Sequence, residues 1–134
     1  MSIGLDTSVV LRLLTGQPSD QATVARDRLQ LAVAAGEEVL VTDLVLGEVY
    51  FALQHHYGVA KEPARTAIAA MLRSGAVVPD PADAGLAFEA TKGAGILDRL
   101  MHARHRAAQA TTLTFDRKTA ALEGATRLAG ERSG

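Results

Sequence analysis

Short apolar, β-branched runs alternate along this chain with longer segments of helical period, and that alternation limits the folds open to it more than any other feature. Residues 2–5, 39–41, 76–78 and 111–115 have the length and composition of buried strands. Between them, residues 9–14, 20–35, 44–57, 61–73, 82–91 and 96–109 read as helices. Ser8 and Ser19 stand as caps of the first two helices, and Thr42 or Asp43 as the cap of the third. Gly36 and Gly58 are stops, and Pro63 falls in a first turn, where its missing N–H goes unused. In residues 20–35 the apolar positions Ala22, Val24, Ala25, Leu29, Ala32 and Val33 predict the buried stripe, and Pro79 and Pro81 close the strand at 76–78. A short helix and an edge strand at 126–128 complete the pattern. Strands joined through helices need crossover connections, which give a parallel sheet covered on both faces. The expected fold is a three-layer α/β/α sandwich with a mainly parallel central sheet.

No Gly/Pro-rich linker, low-complexity tract or internal repeat divides the 134 residues, so residues 1–134 are expected to form one domain. A domain of that size buries roughly two-thirds of its unfolded surface and needs no staple. With no cysteine, disulfides, thiolate zinc sites and cysteine nucleophiles are excluded. The first residues, Met-Ser-Ile-Gly-Leu-Asp, lack the basic and apolar regions of a signal peptide, and no apolar run approaches the roughly 18 residues of a membrane span. A cytoplasmic protein with no membrane contact is the expectation.

In parallel α/β sheets, ligands bind beyond the carboxyl ends of the strands. Asp6 follows the first strand and Asp116 the strand at 111–115, so the two carboxylates are expected on one rim. Glu48 lies among Val45, Leu46, Val49 and Phe51, a setting that predicts an inward face. Asp98 opens the helix after Gly93-Ala94-Gly95. Each acid alone has a plain structural role: a cap, a paired group, or a charge that complements a helix dipole. Gathered together they would repel, and a fold tolerates that only if protons or cations neutralise them. Mg²⁺ or Mn²⁺ suits all-oxygen ligands and can activate water against a phosphodiester.

The order and spacing of four segments carry a resemblance: residues 4–14 (GLDTSVVLRLL), 42–49 (TDLVLGEV), 96–100 (ILDRL) and 113–118 (LTFDRK). Together they are similar to the PIN-domain family and, within it, to the VapC-type toxin ribonucleases of toxin–antitoxin systems. The resemblance implies that Asp6, Glu48, Asp98 and Asp116 form an acidic metal pocket, supported by the hydroxyls of Ser8 and Thr114. It further implies an endoribonuclease that uses one or two Mg²⁺ or Mn²⁺ ions, with a cognate antitoxin that occupies the pocket. Relatives often have Phe-Ala-Asp-Ala-Leu where this chain has Ile96-Leu97-Asp98-Arg99-Leu100, so Arg99 either meets substrate phosphate or turns to solvent. Gln109 stands where a Gly often ends that helix.

The net charge of −1 hides an uneven distribution. Residues 1–90 hold 6 Lys+Arg against 11 Asp+Glu, and the remainder 8 against 4. Arg99, His102, Arg104, His105 and Arg106 give one basic helix, read equally as an RNA-facing or a solvated surface. Arg117 and Lys118, beside Asp116, are the better candidates for RNA contact. Two Tyr, three Phe and no Trp leave base stacking without an evident source. The His pairs lack companion zinc ligands, and no Gly-x-Ser-x-Gly elbow supports a serine hydrolase. A phospho-receiver is disfavoured because Asp6 is followed by Thr7 rather than a second acid. A PIN-fold RNA- or protein-binding regulatory module with little or no catalysis is the other reading. Apolar surface at 9–14 and 24–33 suggests a homodimer.

Overall fold

The computed structural model describes residues 1–130. Its elements run β1 (Ser2–Gly4), α1 (Thr7–Thr15), α2 (Ser19–Ala34), β2 (Glu38–Thr42), α3 (Asp43–His55), α4 (Lys61–Arg73) and β3 (Val78–Asp80). A 3-10 segment (Ala82–Phe88) follows, then α5 (Ile96–Ala107), β4 (Thr112–Thr114), α6 (Arg117–Ala120) and β5 (Ala125–Arg127). All strand pairs described are parallel, as the helical crossovers require. The result is the α/β/α sandwich expected. Its ladders form two pieces: a three-stranded sheet in the order β1-β2-β3 and a two-stranded sheet of β4 with β5.

Several boundaries differ from those expected, each for a local reason. Asp6, not Ser8, caps α1: its Oδ1 accepts from the Val9 backbone N–H at 3.1 Å, so the helix starts at Thr7. Thr42 caps α3 by accepting from the Val45 N–H, and α3 ends at His55 rather than 57. Pro18 rather than Ser19 occupies the cap position of α2. The third strand is shifted two residues along, with Pro79 inside it opposite Val41. A proline fits there because β3 is a sheet edge, where one side of the backbone makes no ladder. The segment at 82–91 is a 3-10 helix ending at Phe88. Residues 131–134 of the expected domain lie outside those described.

The core joins Val39 and Val41 of β2 to Val10 of α1, Leu46 and Val49 of α3, Ile68 of α4 and Phe88, all at most 1 % exposed. Tyr50 meets Phe88 edge-on at 6.2 Å between ring centroids. The α2 stripe is narrower than its sequence predicts: only Ala22 and Ala32 are buried, and Val24, Leu31 and Val33 are exposed. No helix among the described residues is long and apolar enough to cross a membrane.

Candidate active site

All four proposed acids are exposed. They fall into two pairs that are held differently. Asp6, in the turn after β1, accepts at Oδ1 from the Ser8 hydroxyl at 2.6 Å and from the Val9 N–H. Those donors, Ser8 first, hold its carboxyl below the usual range. Asp116, in the turn after β4, caps α6, its Oδ2 accepting from the Thr119 N–H at 2.8 Å and the Thr119 hydroxyl at 2.9 Å. These bonds likewise lower its pKa. The Asp116 N–H in turn donates to Thr114 Oγ1 at 3.0 Å. The Ser8 hydroxyl thus meets the Asp6 carboxylate, whereas Thr114 meets only the backbone N–H of Asp116, and the hydroxyl on the Asp116 carboxylate is that of Thr119.

Glu48 and Asp98 are placed by helices. The buried stripe of α3 is Leu46, Val49, Ala52 and Leu53, and Glu48 lies off it, exposed rather than turned inward. Flanking apolar residues misled here because they occupy neighbouring faces of the helix. Glu48 Oε1 accepts from the Thr7 hydroxyl at 3.2 Å, which ties α3 to the turn that carries Asp6. Thr7 had no predicted role. Its only signal is its position between Asp6 and Ser8. Asp98 occupies the first turn of α5, where carboxylates are favoured by the helix dipole. The cap residue, Gly95, offers no side chain, and Asp98 Oδ2 lies 3.7 Å from where its Cβ would be.

A cleft of about 740 Å³ opens beside Glu48 and Thr7, between α3 and α5. Its walls include Leu44, Phe51, Leu97 and Met101, each more than half exposed. By type, exposed carboxylates with hydroxyls bonded to three of them suit a hard divalent cation; of the four acids only Glu48 lines the cleft. Among the described residues no three His, Asp or Glu side chains stand close enough together to hold a metal ion, so the four acids do not form the single gathered pocket expected.

The expected basic helix is dispersed. Arg99 neither faces solvent freely nor stands ready for phosphate: Nε donates to Ala94 O at 2.9 Å and Nη2 to Lys92 O at 2.8 Å, bracing the loop that enters α5. His102 is buried, its Nδ1 2.6 Å from Thr112 Oγ1 and its Nε2 2.7 Å from Glu123 O, and His105 Nδ1 reaches the same hydroxyl at 2.8 Å. Arg104 is paired with Asp43. Arg117 and Lys118 remain exposed in α6, directly after Asp116.

No curated protein matches the chain. The sequence model of the PIN domain family matches residues 3–125, nearly its whole length.

Proposed function

The chain belongs to the PIN domain family, a superfamily of nucleases that generally depend on metal ions, and from that premise we propose that it is a Mg²⁺- or Mn²⁺-dependent endoribonuclease, the toxin of a VapBC-type toxin–antitoxin pair. The Thr7–Glu48 hydrogen bond carries this reading: it joins an acid on a helix to the strand-end turn of another acid, although 41 residues separate the partners. When bound, the divalent ion supplies a polarised water and neutralises charge on the phosphoryl oxygens. Asp6, Glu48, Asp98 and Asp116 are its proposed ligands, and one of these carboxylates also orients the attacking water. The hydroxyls of Ser8 and Thr7 restrict Asp6 and Glu48 to one orientation. Arg117 and Lys118 hold the RNA backbone beside Asp116, countering the repulsion of an acidic site.

In this reading a second copy of the chain and a cognate antitoxin are its protein partners, in the cytoplasm. Large apolar side chains exposed around the α3–α5 cleft and on α2 support protein contacts. Light scattering giving only a 14.0 kDa species at all concentrations would remove the homodimer.

The test of activity is cleavage of total RNA by the purified protein with Mg²⁺, with Mn²⁺ and with chelator. Cleavage restored by either metal and abolished by chelator is expected, and metal-independent or absent cleavage contradicts the assignment. One observation favours the second reading, a binding module with little catalysis: the carboxylates of Asp6 and Asp116 already serve as helix caps. RNA or partner binding without turnover would select it.

A further inference from the structure

Glu48 and Asp98 stand on α3 and α5, two helices that pack against each other. At Gly47, next to Glu48, α5 approaches so closely that an added Cβ would lie 3.2 Å from Leu97 Cδ2 and 3.7 Å from Leu100 Cδ1. Leu97 is the neighbour of Asp98. A second contact joins the first residue of α3 to α5. Arg104 Nε donates to Asp43 Oδ2 and Arg104 Nη2 to Asp43 Oδ1, both at 2.9 Å. This is the bidentate fork that gives Arg–carboxylate pairs a fixed geometry. Nη2 also donates to Asp80 O at 3.3 Å and lies 3.8 Å from Asp80 Oδ2, so the end of β3 is drawn into the same brace. The Asp43 side chain is only 17 % exposed, unlike the partners of ordinary surface pairs.

We propose that Arg104 is a positioning residue of the acidic site: with Asp43 and Asp80 it fixes the spacing of α3 and α5, and through it the placement of Glu48 relative to Asp98 for a divalent cation. The role rests on the nuclease reading above. Arg104 is no ligand, since its donors are turned to Asp43 and Asp80. A second Arg–carboxylate pair, more exposed and away from α3 and α5, serves as control. Arg73 Nη1 donates to both carboxylate oxygens of Glu89 at 2.9 Å, joining α4 to the residue after the 3-10 segment.

Coulomb's law and positioning predict opposite signs. Removing a cation near carboxylates should by itself strengthen their hold on a divalent cation, whereas loss of the brace should weaken it. The experiment titrates Mn²⁺ into the full chain, reading free Mn²⁺ by electron paramagnetic resonance, with thermal unfolding in parallel. Arg104→Gln is expected to lower Mn²⁺ affinity by about tenfold, the lower end of what orienting partners contribute. Arg104→Lys, which keeps the charge but loses the fork, should fall between. Glu89→Gln, which breaks an exposed Arg–carboxylate pair away from α3 and α5, should leave Mn²⁺ affinity unchanged. If Arg104→Gln does not fold, Arg104→Lys carries the test alone, since it removes the fork without changing the charge, and unchanged Mn²⁺ binding by it overturns the role. Unchanged or tighter Mn²⁺ binding by Arg104→Gln, or equal weakening by Glu89→Gln, overturns the role. A wild-type chain that neither binds Mn²⁺ nor cuts RNA removes the nuclease reading, and this role with it, before any variant is compared.

Discussion

The two acids at strand ends and the two on helices illustrate two ways of holding a carboxylate in place. Asp6 and Asp116 are fixed by neighbours within three residues, Ser8 and Val9 for one and Thr119 for the other. Glu48 is met by a hydroxyl 41 residues away, and Asp98 stands in the first turn of α5, the helix whose Leu97 and Leu100 lie against Gly47 of α3. Local fixing is robust, because a short turn carries its own donors. Distant fixing makes the geometry depend on the fold as a whole, so substitutions far from the acids in sequence reach it.

The largest effect that would sharpen this contrast comes from removing a charge while keeping its hydrogen bonds. Asp6→Asn retains an Oδ1 acceptor for the Val9 N–H, and Asn is as good a cap as Asp. Stability should change by less than about 1 kcal/mol, while RNA cleavage falls on the order of a hundredfold or more. Asp98→Asn should do the same. A purified Asp6→Asn protein that cuts RNA at the wild-type rate breaks the assignment of the strand-end acids. Next in size is Thr7→Val, which removes the long-range bond to Glu48 and leaves the turn intact. Cleavage should fall about tenfold with little change in Tm. An equal loss with Ser8→Ala, whose bond to Asp6 is local, would show that distance in sequence does not matter.

Charge on α6 should act on binding rather than on chemistry. Lys118→Gln is expected to weaken RNA binding and reduce its salt dependence by about 0.7 in the log–log slope, with kcat retained; an unchanged slope would place the RNA elsewhere. The smallest effect is on stability against pH. Asp6, Asp43 and Asp116 all have lowered pKa values in the folded chain. Their contribution is therefore complete above the unfolded carboxylate range near pH 3.9 and is lost as pH falls through the lower folded values. Tm measured from pH 6 down to pH 2 should hold level and then drop below about pH 4. In Asp43→Asn that drop should be shallower, and an identical profile would show that the Arg104 fork does not stabilise the fold.

The same division explains what was legible in the sequence. Strand runs, helix periods and the two strand-end acids are local patterns; Ser8 meets the Asp6 carboxylate, whereas Thr114 meets only the Asp116 backbone and Thr119 supplies the hydroxyl on that carboxylate. The site-flanking helix is not one continuous basic face because two of its side chains turn to partners elsewhere in the chain: Arg104 to Asp43, and His102 to Thr112 and Glu123. Arg99 closes back on the loop before its own helix, which composition alone does not reveal. The inward face expected for Glu48 is not found for a different reason: of its apolar neighbours only Leu46 and Val49 enter the buried stripe, while Phe51, like Glu48, stays exposed. Pro79 ended a strand on paper but belongs to one, because which strand forms the edge is decided by the whole sheet.

The central claim is that these four acids serve one metal-dependent cutting reaction. It is tested most directly by comparing wild type with Asp98→Asn on total RNA, each with Mn²⁺ and with chelator. The account predicts cleavage only by wild type with metal, with both proteins equally folded by circular dichroism. Cleavage by Asp98→Asn at the wild-type rate, or cleavage that survives chelator, would contradict it.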